Sequence, residues 1–426
     1  MLNRLQSSAS AIGVDAWRLC IAVALSSFPI GYLSIVLPIY FSKTGLDSTL
    51  IGQLYALSSI ASAVLLIVFG VLADRFSRKP FVIVGWTLPA VSYLIFLLTT
   101  DAHWLTLAAG IGGVGLAGGL SGALSSSSFN AMLAEKSSDA NRTLVFSLGS
   151  IAWTAAMMTG SLISGLPEWL QAAGWGVLES YHPLFWLSLV STLLSVLLLL
   201  PLHEVHKHVA VAHDWRDWIP RRSAPAIARL SLVMGLIGLG LGFSVQLLSL
   251  WFYLRFNVSG DVIGPWFAAS EGLSMLSMVL VPRIARRIGT ANTVLSTQVL
   301  ATVFLASMVV APTAQLAAAL YLVRNFLMNL AWPAQQSYIM GVVDPRERAT
   351  ASSVTSAAWG IANSISPAIS GIWLDARLLA LPLLAGAASY LLSVLTFYGF
   401  FRGVRLPEEN AVAVEADAAA QAGVIT

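Results

Sequence analysis

Charge is scarce in this 426-residue chain: 10% of its residues are Asp, Glu, Lys or Arg, against 57% that are hydrophobic. A soluble chain carries about 25% charged residues. A water-exposed fold around one core is therefore excluded, and the bilayer must be the solvent for most of the apolar side chains. Cysteine is nearly absent, and the single Cys20 excludes an intrachain disulfide. No Gly-x-x-x-x-Gly-Lys-Ser/Thr loop occurs, which argues against ATP drive. No nucleophile constellation is present, nor are there clustered intramembrane acids or metal ligands, so neither an enzyme nor a cofactor is expected. His203, His206, His208 and His213 have a spacing that fits no tight metal site and read as part of a solvated segment. The basic residues sit in short loops rather than on one face, so nucleic acid is not an expected partner. Arg4 and Arg18 precede an apolar run too long for a cleavable signal, which reads as a first retained span.

What is there is a series of long apolar segments. A spanning helix needs about 20 mostly apolar residues. Twelve candidates lie near 17–42, 50–73, 81–99, 104–132, 143–165, 182–201, 226–254, 262–284, 291–311, 314–340, 349–373 and 378–402. With the N-terminus inside, 19 of the 23 basic residues fall on the cytoplasmic side; only Lys43, Arg255 and Arg377 fall outside. Such a split follows the positive-inside rule, and a missed span would scramble it. Both termini are then expected in the cytoplasm. Residues 1–201 form an N-terminal six-helix bundle, 202–225 a cytoplasmic linker, 226–405 a C-terminal six-helix bundle, and 406–426 an Ala-rich, acidic tail read as disordered.

The two halves repeat each other. "STLIGQLYALSSIAS" at 48–62 aligns with "GDVIGPWFAASEGLS" at 260–274, sharing Ile51/Ile263, Gly52/Gly264, Ala56/Ala268 and Ser58/Ser270. Further on, Arg142 matches Arg348, Trp153 matches Trp359, Ser164 matches Ser370 and Gly165 matches Gly371. Transporters built from repeats place their site near the midplane, between the repeats.

After the second span comes "GVLADRFSRKP", Gly70 to Pro80. With the span count, the central loop and the repeat, this stretch resembles the major facilitator superfamily over nearly the whole chain. The family signature there is Gly-x-x-x-Asp-Arg-x-Gly-Arg-Arg/Lys. Gly70, Asp74, Arg75, Arg78 and Lys79 match it, and Ser77 stands where the family has glycine. The resemblance implies an all-α membrane fold of twelve helices in two pseudo-symmetric bundles, and a cytoplasmic gate latch at these residues. A plain orientation signal is the simpler alternative. The second copy, "PRIARRIGTAN", keeps Arg287 and Gly289. Span five reads "AMMTGSLISG" and span eleven "ANSISPAISG", partial matches to a small-residue motif of the family's antiporters. Close helix packing explains them as well. The arginine that many of the family's drug exporters carry in span four is missing here.

Two formal charges lie deep in spans: Glu271 in span eight and Arg324 in span ten. Each costs about 2.5–3.5 kcal/mol at a helix centre, so both should face the interior and pair. They are expected to approach each other directly or through water, as a proton-coupling pair, an anion grip or a static bridge. Asn325, Asn329, Trp332 and Gln336 share one helical face with Arg324. That face is expected to line the cavity, joined by Ser126 and Asn130 in span four, Gln246, Ser249 and Tyr253 in span seven, and Ser34 in span one. Such stripes can also merely hold helices together. Trp251 and Trp332 supply either aromatic cavity surface or packing. The function expected is a monomeric secondary transporter of the cell membrane, moving a small organic solute by alternating access with proton coupling. The small-residue motif points towards efflux of an amphipathic compound. Uptake of an anionic nutrient gripped by Arg324 is the alternative, and a non-transporting sensor or assembly factor a further one.

Overall fold

A computed structural model describes residues 13–75, 78–114, 118–136, 142–202, 223–343 and 347–401. Most of the linker, with its histidines, and the C-terminal tail lie outside the described residues. Fifteen α-helices follow in order: α1 (Val14–Lys43), α2 (Ser48–Arg75), α3 (Arg78–Leu98), α4 (Ala102–Gly112), α5 (Gly119–Glu135), α6 (Arg142–Leu162), α7 (Leu166–Ala172), α8 (His182–Leu199), α9 (Ala224–Ser244), α10 (Leu248–Phe256), α11 (Gly260–Ile288), α12 (Thr290–Ser307), α13 (Ala314–Val342), α14 (Arg348–Asp375) and α15 (Ala380–Phe401). Among the described residues, seven segments are long and apolar enough to cross a membrane: Val14–Lys43, Lys79–Leu98, Leu144–Ala172, Glu179–Leu199, Ala224–Phe256, Asn292–Val310 and Ala380–Phe400.

Apolar side chains cover the outer surface as well as filling the core. Large apolar side chains such as Leu98, Leu197, Val303, Ile372 and Leu395 are exposed, while Ser27, Ser188, Ser195, Ser366 and Ser393 are fully buried. Lipid accepts the first set, and the second must find partners within the bundle. Buried serines do so by bridging helices. Ser191 Oγ donates to the Leu25 carbonyl at 2.7 Å and Ser195 Oγ to that of Ala22 at 2.9 Å, tying α8 to α1. Ser370 Oγ donates to the Phe243 carbonyl at 2.9 Å, tying α14 to α9. Gly160 abuts the Phe28 carbonyl of α1, so the small-residue stretch of span five serves close packing.

Helix neighbours recur in matched pairs. Helix α1 packs on α6 and α8, as α9 packs on α14 and α15; α2 packs on α5, as α11 packs on α13; and α3 packs on α8, as α12 packs on α15. Across the molecule, α2 meets α14 and α6 meets α11.

Two expected spans are not continuous helices. The segment 104–132 breaks between Gly112 and Gly119. Gly113 (φ 88°) and Gly119 (φ 54°) flank the break, in a backbone region that residues with a side chain rarely adopt. The segment 226–254 breaks at 245–247 and resumes as α10, which ends on Asn257 in the left-handed conformation.

Candidate functional site

A cavity of 780 Å³ lies at the centre of the bundle. Its walls come from α1 (Ser26, Ile30), α3 (Trp86, Tyr93), α5 (Ser121, Asn130), α6 (Phe146, Trp153), α9 (Ile237, Leu241), α13 (Arg324, Asn325, Asn329) and α14 (Trp359). Gly112, Gly113 and Gly118, at the break between α4 and α5, also line it. The break therefore brings the C-terminal end of α4 and the N-terminal end of α5 to the cavity wall together, ends that carry opposite partial charges.

Arg324 is the one formally charged side chain among the described lining residues. It is only 2% exposed. One guanidinium nitrogen, Nη2, donates to the Tyr390 hydroxyl at 2.6 Å, and the guanidinium carbon lies 5.1 Å from the centre of that ring. Its Nε is buried without a hydrogen-bond partner.

The expected direct meeting of Glu271 with Arg324 is not found: among the described residues they form no ion pair. The guanidinium is turned onto Tyr390 of α15, whose hydroxyl and ring face hold a cation without a carboxylate. Glu271 instead lines a separate chamber of 40 Å³, with Ser34, Tyr55, Ser161, Gln246, Phe267 and Tyr321. Tyr321 is a neighbour of both charges. It lies one helical turn before Arg324, stacks on Phe267 at 5.3 Å between ring centres, and is within electrostatic reach of both Arg324 and Glu271.

The other expected residues divide. Asn325, Asn329 and Asn130 line the central cavity. The first two also hold α13 to α11: Asn325 Nδ2 donates to Ser270 Oγ at 2.6 Å, and Asn329 Nδ2 to Ser274 Oγ at 2.9 Å. The stripe of span seven does not line that cavity. The helix break puts Gln246 in the smaller chamber. Ser249, in the next segment, is buried and directed at the Ser34 carbonyl, 3.4 Å away. Tyr253 packs against the apolar core. Ser34 also belongs to the smaller chamber. Trp251 is packing: it is 2% exposed and donates through Nε1 to the Leu379 carbonyl at 2.7 Å. Trp332, Gln336 and Ser126, and in the gate motif Gly70, Asp74, Arg75 and Arg78, lie outside the residues whose side chains are described. Lys79 donates to the Leu200 and Leu202 carbonyls at 2.7 and 2.8 Å, capping the end of α8.

Several site residues escaped the sequence reading. Trp86, Tyr93 and Phe129 line the cavity, and Tyr390 holds Arg324; lone aromatics in apolar spans gave no signal. Trp153 and Trp359 also line the cavity, and their signal was available, since they are one of the matched pairs of the repeat.

Two close seams join helices across the molecule. A Cβ on Gly52 would overlap the Pro367 carbonyl of α14, and one on Gly371 would overlap the Ser48 carbonyl of α2. On the opposite side, Gly264 of α11 abuts Ser164, and Ser164 Oγ donates to the Gly260 carbonyl at 2.8 Å. Beside this second seam, Lys43 lies 3.8 Å from Glu168. The cavity runs past the exposed Asn130 and Ser150.

The model of the Major Facilitator Superfamily matches residues 19–367. A search of curated proteins returned no match. Among solved structures, the chain is similar to the nucleoside transporter NupG (16% identity, 91% of this chain and 99% of that one, TM-score 0.70). It is also similar to a D-xylose–proton symporter (15% identity, 90% and 97%, TM-score 0.69). A further similar structure is the human organic anion transporter MFSD10 (16% identity, 90% and 98%, TM-score 0.60).

Proposed function

This chain belongs to the major facilitator superfamily, so it is an integral membrane transporter and not an enzyme, and we propose that its cargo is a small amphipathic organic anion. The observation that carries this reading is Arg324: a buried guanidinium with an unpartnered Nε, alone in charge among the described residues of the central cavity. A buried donor left unmatched costs about 1–3 kcal/mol, and a shift of the side chain towards a carboxylate or phosphate oxygen of the cargo would remove that cost. The aromatic walls from Trp86, Trp153 and Trp359 suit an apolar body.

We further infer twelve spans in two six-helix halves, 1–201 and 226–405, acting as a monomer in the cell membrane. The matched helix pairs support the halves, and the distribution of basic residues supports cytoplasmic termini. In this orientation the two glycine seams close the outer end and the cavity faces the cytoplasm. Alternating access then opens the seams as the halves rock. Glu271, in its own chamber, is the group through which a monovalent cation gradient drives transport.

A thermal-shift screen of the purified protein tests the cargo class. Aromatic and aliphatic carboxylates or phosphate esters should raise the melting temperature, their neutral amides should not, and Arg324→Ala should abolish the shift. Stabilisation by neutral analogues to the same degree, retained in Arg324→Ala, would refute it.

A further inference from the structure

The chamber beside Glu271 deepens the assignment of that residue as the coupling group, and it rests on that assignment. Its 40 Å³ cannot take an organic solute but can take one water-sized or ion-sized occupant. Its polar lining is weighted towards acceptors. Glu271 brings a carboxylate. Gln246, 6% exposed, has an Oε1 with no hydrogen-bond partner, and Tyr55, 1% exposed, has a hydroxyl with none. The Ser34 hydroxyl already donates to the Gly31 carbonyl at 2.9 Å and that of Ser161 to the Met157 carbonyl at 2.9 Å, so both present lone pairs. Among the described residues, no lysine, arginine or histidine lines the chamber. The nearby Arg324 is committed to Tyr390.

A protonated Glu271, the Tyr55 O–H and the Gln246 amide N–H groups are the donors that compete for these acceptors. A small cation takes several oxygens into one shell. A single carboxylate balances a single positive charge, whereas divalent ions draw on richer carboxylate sets; among the described residues no group of three or more His, Cys, Asp or Glu could hold a metal.

We propose that this chamber is a binding site for a monovalent cation of the size of Na⁺, held by the Glu271 carboxylate, the Gln246 side-chain carbonyl and the Tyr55 hydroxyl. Tyr321 lines the chamber and lies one helical turn before Arg324, so occupancy is linked to Arg324 through one shared residue. The ion is released when the halves part, because its oxygens come from both: Ser34, Tyr55 and Ser161 from one, Gln246, Glu271 and Tyr321 from the other.

The test uses the purified full-length protein without solute. NaCl is titrated against choline chloride at constant ionic strength, at acidic and alkaline pH, while the melting temperature is followed. A saturable rise of about 2–6 °C is expected at alkaline pH. It should vanish in Glu271→Gln and need several-fold more Na⁺ in Tyr55→Phe, a variant expected to melt normally in choline. A melting temperature indifferent to Na⁺ at both pH values overturns the site. Flux assays in proteoliposomes separate this from the transport reading. Na⁺ binding without flux of any solute under any gradient would sink the transport reading and leave the ion site standing. Solute flux driven by a pH gradient in Na⁺-free buffer, with no Na⁺-induced shift, would overturn the ion site and leave transport standing.

Discussion

Arg324 of α13 donates to the Tyr390 hydroxyl of α15 at 2.6 Å and lies against its ring. A neutral partner thus does the work that a carboxylate would do in a static salt bridge. It holds the guanidinium in place without cancelling its charge, which stays available to the cavity. Tyr390→Phe keeps the ring and removes the acceptor. It should cost about 1–3 kcal/mol in the ligand-free protein, read as a lowered melting temperature. A bound organic anion should restore part of the loss, because it supplies an acceptor in place of the hydroxyl.

Ser274 accepts from Asn329 across α11 and α13 at 2.9 Å. Ser274→Ala should cost about 0.6–2 kcal/mol, the range for an interhelical hydrogen bond in a membrane. It should leave the apparent affinity for solute nearly unchanged, since both asparagines keep their place in the wall. A large loss of affinity with normal stability would show that Ser274 itself contacts the cargo.

The all-helical membrane fold was legible because apolarity and internal repeats are properties of the chain itself. The repeat marks Gly52, Gly264, Ser164 and Gly371 proved to be the seam residues, since a contact made twice by pseudo-symmetry leaves two copies of the same small residues. The site was legible in part. Arg324, Asn325 and Asn329 stood out as polar groups at helical spacing and do line the cavity. The meeting of Glu271 with Arg324 was inferred from the cost of buried charge alone; no direct ion pair forms, Arg324 being held by Tyr390 and Glu271 lining a separate chamber. The stripe of α10 was misplaced because helical periodicity assumes an unbroken helix, and the chain breaks at 245–247.

Gly371→Val places a branched side chain where a Cβ would already overlap the Ser48 carbonyl. Overpacking of this kind costs about 1–3 kcal/mol. Under the proposed orientation it should hold the outer seam apart and favour the outward-open state. Transport should fall, and a cysteine replacing the buried Ser48 of the same seam should gain reactivity towards an impermeant thiol reagent in the Gly371→Val background. The buried Cys20, replaced by serine, gives a background free of other thiols.

Glu271→Gln removes the carboxylate while keeping its shape. Exchange of labelled for unlabelled solute needs no net movement of the coupling ion and should survive. Accumulation against a gradient should be lost. Survival of accumulation would remove Glu271 from the coupling step.

The central claim is that Arg324 grips the anionic end of a transported solute. The measurement that tests it most directly is flux of a stabilising organic anion in proteoliposomes, wild type against Arg324→Lys and Arg324→Gln. Lysine keeps the charge but loses the planar fork, so transport should fall in part with Lys and vanish with Gln, while both variants remain folded. Flux of the same anion undiminished in Arg324→Gln would contradict the account.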